Sequence, residues 1–303
     1  MILKRLAKCP GRNDMSNTWV ILDCNYLCYR AFYSTGGLTN DGEGTGTLFG
    51  FMRDLLTFQN MFHQAGTIAC WDVGEPLRKH TFPGYKSGRH TKELDDDEKE
   101  AFAGMRRQTR NLRLKIMPSL GYKNIWYKRG YESDDLMAVA AKQIPTQDIG
   151  YLVTCDKDLY SGICRNVSFY NPIKDITLDK RWFRRTHGIK PTQWAEVKAI
   201  AGCSSDSVPG VKGVGEVTAI KFLRGELKSN SVAYQSILAS ADLIKRNLEL
   251  TFLPYPGTPV KEIVEDEMDV EAWTKICEEY GMESLVQKTR KRKKRTLLEA
   301  SES

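Results

Sequence analysis

The chain has 303 residues, 41% hydrophobic and 27% charged, with 45 Lys and Arg against 38 Asp and Glu for a net charge of +7. That length makes one large or two ordinary domains and can bury a core without staples, and the composition is that of a soluble globular protein. No apolar run approaches the roughly 20 residues of a bilayer-crossing helix, and the segment from Met1 to Leu6 lacks the apolar stretch of a secretory signal, so the expectation excludes membrane spanning, secretion, collagen and wholesale disorder.

Residues 1–14 are polar and patternless and are expected to form a flexible extension, with Met15 as an alternative start. The first strand is expected at Trp19-Val20-Ile21-Leu22-Asp23, a second at Thr67 to Asp72, and a third at Ile149 to Asp156. Each is a short apolar run that closes on an acid. Helical patterns over Leu48 to Phe62 and Asp134 to Gln143 alternate with them. This order predicts an α/β fold with a mostly parallel sheet flanked by helices, and continuous apolar strands fit a sheet covered on both faces. The core domain is expected over 15–187. Within it, 76–115 reads as a long, mobile, charged insertion beside the site, because it shows little apolar periodicity before Ile116. A second, helical region is expected over 188–287. It holds a helix capped by Thr192, a turn Gly210-Val211-Lys212-Gly213-Val214-Gly215, a helix through Ala219 and Leu223, a helical stretch over Val232 to Leu250, and a last helix from Trp273 to Tyr280. A basic tail, 288–303, closes the chain.

That tail carries seven basic residues in the eight positions from Lys288 to Arg295, whereas the body over 15–287 is close to neutral. The pattern fits an anionic partner, a solvated tail or a nuclear address. Eight cysteines stand at 9, 24, 28, 70, 155, 164, 203 and 277 without a C-x-x-C pair. Several lie in apolar runs, where a thiol acts as a small hydrophobe, so they read as reduced thiols of a cytoplasmic protein.

In an open parallel sheet, ligands bind at the carboxyl edge of the strands. Asp23, Asp72 and Asp156 would all lie there, with Asp158 and the run Glu132-Ser133-Asp134-Asp135 nearby. One such Asp could be a turn or cap residue. Seven acids at one edge repel one another unless cations sit among them, and carboxylates without neighbouring His suit Mg²⁺ or Mn²⁺. Paired ions of this kind serve phosphate chemistry.

The order of these motifs resembles the 5′-nuclease superfamily, particularly phage flap endonucleases and the 5′–3′ exonuclease domain of bacterial DNA polymerase I. The resemblance covers about 18–255 and rests on Ile21-Leu22-Asp23 with Arg30, Pro83-x-Tyr85-Lys86-x-x-Arg89, Tyr131 to Asp135, Thr154 to Asp158, and Asp206 through Gly215. It implies a PIN-like core with a helical arch and a helix–three-turn–helix, and two-metal hydrolysis of a phosphodiester at or near 5′ flaps and ends during replication or repair. By position, Asp23, Asp72, Glu132, Asp134, Asp135, Asp156, Asp158 and Asp206 form the implied metal cluster. Lys86 and Arg89 match the catalytic cations at the base of the arch. Arg30, Arg78 and Tyr85 are expected at the DNA surface, and Gly210, Lys212, Gly213 and Gly215 in the turn that grips duplex backbone, with K⁺ as a further ion there. The implied partner is branched DNA with a 5′ single-stranded arm, or an RNA–DNA hybrid; a monomer is expected because no interface signal stands out in the sequence.

Two departures stand out. Where the family pattern has Gly-Asp-x-x-Asp-Asn, this chain has Gly202-Cys203-Ser204-Ser205-Asp206-Ser207, so a thiol replaces one carboxylate of the second metal site. A neutral thiol is a poor Mg²⁺ ligand. A lysine often found after the turn is Val217 here, with Lys212 and Lys221 nearby. The active nuclease leads. Its alternatives are a catalytically impaired DNA-junction binder, to which Cys203 gives weight, a phage-type ribonuclease H acting on RNA primers, and a toxin-like ribonuclease of related fold.

Overall fold

A computed structural model describes residues 16–62, 66–89 and 93–286. The expected N-terminal extension through Asn13 and Asp14 and the basic tail lie outside the described residues.

The aliphatic and aromatic residues of Thr18–Asp23 form β1, the central strand, which pairs in parallel with β4 (Gly66–Trp71) on one side and β6 (Ile149–Val153) on the other. Between β1 and β4 run helix α1 (Cys24–Thr35), a two-residue hairpin β2 (Thr39–Asn40) with β3 (Glu43–Gly44), and helix α2 (Gly46–Phe62). After β4 come α3 (Arg78–Thr81), α4 (Asp96–Asn111), a π-helical turn (Leu112–Ile116), α5 (Met117–Ser119) and β5 (Asn124–Tyr127). Helix α6 (Ser133–Gln143) leads to β6, and then β7 (Val167–Asn171), β8 (Ile176–Leu178) and α7 (Lys180–His187) follow. The sheet order is β5-β4-β1-β6-β7-β8, parallel except for the β7–β8 edge pair. It is the mostly parallel, helix-flanked sheet expected from the strand–helix alternation. Because β1 has sequence-distant neighbours on both sides, its carboxyl end is the switch point at which such sheets bind ligands.

Strand side chains alternate between faces. Ile21, Ile68 and Leu152 face a core built with Leu136, Met137 and Ala140 of α6. Val20, Leu22, Ala69 and Val153 face the other core, with Phe51, Met52 and Leu55 of α2.

The expected helical region shares the first of these cores. It comprises α8 (Trp194–Ala201), a ribbon of β9 (Gly202–Cys203) with β10 (Val208–Pro209), α9 (Glu216–Leu223), α10 (Val232–Ala239) and α11 (Ala241–Thr251), with α12 (Val270–Glu279) on the second core. Trp194, Val197, Ile200 and Ala219 pack into the same cluster as Ile21 and Leu152.

Three local expectations are corrected. Thr192 does not cap α8: it lies inside a 3₁₀ turn over Pro191–Gln193, and the cap position is Gln193, whose side chain accepts instead from Lys190 N at 3.0 Å. The stretch Val232 to Leu250 is two helices broken at Ser240. The charged insertion is largely a helix, because its acids are a start signal: Asp95 accepts from Glu98 N at 2.8 Å, Glu98 reaches back to Asp95 N at 3.1 Å, and Asp96, Asp97 and Glu98 occupy the first turn, where the helix dipole favours them.

Candidate metal centre and phosphate-binding edge

Asp23 ends β1 and starts α1, and its Oδ1 accepts from Tyr26 N at 3.2 Å. The same oxygen accepts from Ser133 Oγ at 3.1 Å, and Oδ2 from Thr154 Oγ1 at 3.0 Å. Asp72, just past β4, accepts from Ser133 N at 2.5 Å. Ser133, first residue of α6, therefore ties two strand-end carboxylates together. Burial first, and the charge of Asp72 second, push Asp23 up to about 7. Burial likewise raises Asp72.

The run before α6 divides its labour. Asp135 is fully buried and receives both terminal nitrogens of Arg78 at 2.7 Å, together with Tyr255 N at 2.7 Å and Glu132 N at 3.2 Å. Glu132 accepts from Arg78 at 2.9 Å and Tyr85 Oη at 3.0 Å, and its other oxygen meets Lys86 Nζ. Burial alone would raise Glu132, but Lys86 and Arg78 hold it below the ordinary range. Among the described residues Asp134 has no ion-pair partner in contact: burial, then Asp135 and Glu132, push it well up. The expected DNA-surface positions of Arg78 and Tyr85 are thereby corrected. Both are 2% exposed, and their polar groups are turned inward onto these carboxylates rather than out to solvent.

A second donor group lies across Lys86. Its ammonium contacts Glu132 and stands 3.7 Å from Asp206, while its backbone N donates to Asp206 O at 2.8 Å. That grip holds Lys86 in the left-handed region, at φ 58°. Such a φ is uncommon for a residue other than glycine. Arg89 pairs with Asp206 at 2.8 Å and keeps 47% of its side chain exposed. Asp158 and Asp206 flank Cys203, whose Sγ is 3.9 Å from Asp158 Oδ2 and 3.5 Å from Asp206 Oδ2. Burial, then Asp156, push Asp158 up to about 6. Asp156 is exposed and accepts from Asp158 N at 2.9 Å.

The glycine turn leaves the β9–β10 ribbon through Gly210, which folds back on the end of α8: a Cβ there would lie 2.2 Å from Ala201 O, so the close approach of two backbones demands glycine. Gly213, at φ +77°, and Gly215 have open space where a Cβ would be. Gly215 occupies the cap position of α9 without a side-chain cap, and Lys212 in the same turn is exposed. Val217 is 69% exposed and Lys221 is also at the surface. Arg30 pairs with buried Asp54 at 3.2 Å while remaining partly exposed.

One atom from each of Glu132, Asp134 and Asp135 falls within 4.8 Å of the others, and the same holds for Asp158, Cys203 and Asp206. The first set offers only oxygen and fits a hard divalent cation. The second mixes sulfur with oxygen. Lys198 is the functional side chain that the sequence reading passed over. Its ammonium, 12% exposed, lies 3.2 Å from Asp158 and 3.4 Å from Glu216. The available signal was a lysine inside the mostly apolar helix Trp194–Ala201, where Glu196 is the other charged residue, since a buried lysine needs a partner. Ser133, Thr154 and Asn25, which accepts from Asp72 N at 3.0 Å, are further positioning groups that carried no sequence signal.

Asp23, Asp72, Asp134 and Asp158 are pushed above the ordinary carboxylate range, with ammonium and guanidinium groups wedged among them, and such a crowd at the carboxyl edge of a parallel sheet is a candidate metal centre. The chain belongs to the 5′–3′ exonuclease family, whose N-terminal resolvase-like domain matches residues 18–188. It is 30% identical over 224 residues to a 5′-3′ exonuclease of Bacillus subtilis, covering 69% of this chain and 70% of that protein. It is 32% identical over 209 residues to DNA polymerase I of Thermus aquaticus, covering 67% of this chain but 23% of the polymerase. The chain thus matches only about a quarter of the length of its polymerase relatives. The flap endonuclease of bacteriophage T5, solved as a complex with DNA and metal ions, shares the fold with a TM-score of 0.68 at 19% identity, over 90% of this chain and 97% of that one.

Proposed function

We propose that the protein is a structure-specific 5′-nuclease that hydrolyses phosphodiester bonds at or near 5′ flaps and ends, in primer or flap removal. The observation that carries this reading is Lys86, fixed between Glu132 of one donor group and Asp206 of the other. A phosphate bridging the two groups would meet its ammonium. Glu132, Asp134, Asp156 and the strand-end acids Asp23 and Asp72 would hold one divalent cation, Mg²⁺ or Mn²⁺, and Asp158 with Asp206 a second. Such ions supply charge neutralisation and an activated water. Lys86 and Arg89 offset negative charge that develops on the phosphate, and Arg89 has the exposure to reach it. Arg78 and Tyr85 act one step back, by fixing Glu132. Gly213, Gly215 and Lys212 present amides and a cation to the duplex backbone, with room there for K⁺, and such contacts position DNA without reading its bases. Arg30 adds a further cation on α1.

The expected substrate is branched DNA with a 5′ arm, with RNA–DNA hybrids as a second class, and the working form a monomer in the cytoplasm. Incubating the full chain with 5′-labelled flap duplex, pseudo-Y and RNA–DNA hybrid, with Mg²⁺ or with chelator, tests this. Cleavage near the junction, stopped by chelator and reduced by orders of magnitude in Asp134→Ala and Asp156→Ala while DNA is still bound, is expected. Metal-independent cleavage, or variants that cut at the wild-type rate, would remove the assignment.

A further inference from the structure

We infer that the basic face of α7 is a second phosphate-binding surface, which takes the backbone of the same duplex that the glycine turn holds. The inference rests on the proposed function for its occupant, DNA, and on nothing in the carboxylate centre.

Helix α7 carries Lys180, Arg181, Arg184 and Arg185 among its eight residues and no acid. At helical spacing these four share one side, whereas Phe183 and His187 share the other. All four cations are exposed and Phe183 is fully buried. Such a face works against its own helix. Lys180 with Arg184, and Arg181 with Arg185, are like-charge neighbours four residues apart, which destabilises a helix. Lys180 and Arg181 also stand in the first turn, where the dipole favours acids. Neighbouring carboxylates are engaged elsewhere: Asp179 accepts from Trp182 N at 2.6 Å as the cap, and Asp175 accepts from Tyr170 Oη at 2.8 Å. Among the described residues none of the four cations is in an ion pair, in contrast to Arg107 of α4, which pairs with Glu100. A face whose charge costs the fold stability and has no internal partner is where an external anion supplies the counter-charge.

The position of α7 selects the anion. The rings of Phe183 and His187 lie 5.7 and 5.1 Å from that of Trp194, the first residue of α8. Gly188, which ends α7, packs so closely on Arg224 at the end of α9 that a Cβ would lie 2.8 Å from its Nε. Helix α7 is thereby clamped to both helices that flank the glycine turn. Val217, Lys221 and Arg224, all exposed, form one outward row along α9, so cations continue from Lys212 in the turn towards α7. The eight residues of α9 span about 12 Å, well under the roughly 34 Å of one duplex turn, so one duplex can reach both places. A polyanion also matches two cation pairs stepped about 6 Å along α7, which a single small anion does not.

The test is to bind the full chain, in chelator, to flap substrates whose duplex arm is lengthened stepwise from about half a turn to about three turns. Wild type is compared with Arg184→Gln/Arg185→Gln and with a control that removes two exposed lysines on α6 and α12, Lys142→Gln/Lys275→Gln. Affinities should coincide on the shortest arm and diverge as the arm grows, with the control following wild type. On the longest arm, a roughly fourfold rise in salt should cost wild type about tenfold more affinity than the arginine variant, since each phosphate neutralised adds about 0.9 to the salt slope. The variant should be no less stable to urea, because like-charge neighbours are removed. Lys180→Gln/Arg181→Gln carries the comparison if the first pair does not fold. Coincident affinities on every arm, a loss of the same size on every arm, or an equal loss in the control would overturn the inference. A chain that cuts flaps in Mg²⁺ with coincident affinities keeps the nuclease reading and loses this surface. One whose affinities diverge but which cuts nothing keeps the surface and loses the nuclease.

Discussion

At the scale of single residues, the centre holds negative charge that the fold itself leaves uncompensated, and pH should reveal it. Asp23 has an ordinary value of 3.8 and is pushed up to about 7 when folded. Between those values the folded chain keeps a proton that the unfolded chain has released. Stability therefore falls as pH rises from about 4 to about 7, with a slope of about 1.4 kcal/mol per pH unit for one proton. Metal-free protein unfolded in urea across this range should lose stability, and Asp23→Asn should remove about one proton of that slope. Added divalent cation should restore stability at pH 8. A variant that keeps the wild-type slope would mean that Asp23 titrates normally. The opposite case is Arg78, whose charge is fully matched. Replacing it with Met strands Asp135 in the core and is expected to cost about 3–5 kcal/mol, whereas Arg89→Met, at an exposed pair, should cost under about 1 kcal/mol. Equal losses in the two variants, measured by urea denaturation at pH 7, would refute the buried-network account.

At the scale of elements, what the sequence displayed was set by how local each signal is. The runs before Asp23, Asp72 and Asp156 are apolar enough to name three strands, and the structure has them. Strands β5, β7 and β8 are short, and Asn124 and Ser168 interrupt their apolar pattern, so they did not stand out. Helix α4 hid because it buries only Met105 and has almost no apolar stripe, although its capping box was readable at Asp95 and Glu98. The spacing of acids could bring Asp134 and Asp158 to one edge, but it could not show that Arg78 turns inward or that Lys198 crosses from α8 to Asp158. Those are long-range pairings, and one sequence does not name the partner of either residue. The glycine turn allows a sharp test of element against site. Gly210→Ala drives a Cβ into Ala201 O and should destabilise the fold by more than about 1 kcal/mol. Gly215→Ala meets open space and should leave stability within about 0.5 kcal/mol. A phosphate seated on the α9 amides would nonetheless meet that methyl, so duplex affinity should fall. If Gly215→Ala binds duplex DNA as tightly as wild type, those amides do not hold phosphate.

At the scale of the whole molecule, the sheet and the helical region share a core: Trp194, Val197 and Ala219 pack with Ile21 and Leu152. The glycine turn is therefore held to the carboxylate edge rather than carried on a separate unit, and urea should unfold both in one transition. The charge of the molecule is arranged differently. The body over 15–287 is close to neutral, whereas seven cations crowd the positions 288–295. A neutral body makes few non-specific phosphate contacts, so a tail that meets DNA should dominate the salt dependence of binding. Each phosphate neutralised adds about 0.9 to the slope of log affinity against log salt, and seven cations can contribute at most about six. Deleting 288–303 should accordingly weaken duplex binding at low salt and flatten that slope by several units. The single-turnover rate on saturating flap substrate should stay near wild type, because Lys86, Arg89 and the carboxylates that would carry the chemistry are all retained. Binding isotherms on one duplex at three or more salt concentrations, for the full chain and the deletion, decide the matter. Parallel lines would mean that the tail is solvated and takes no part in holding DNA.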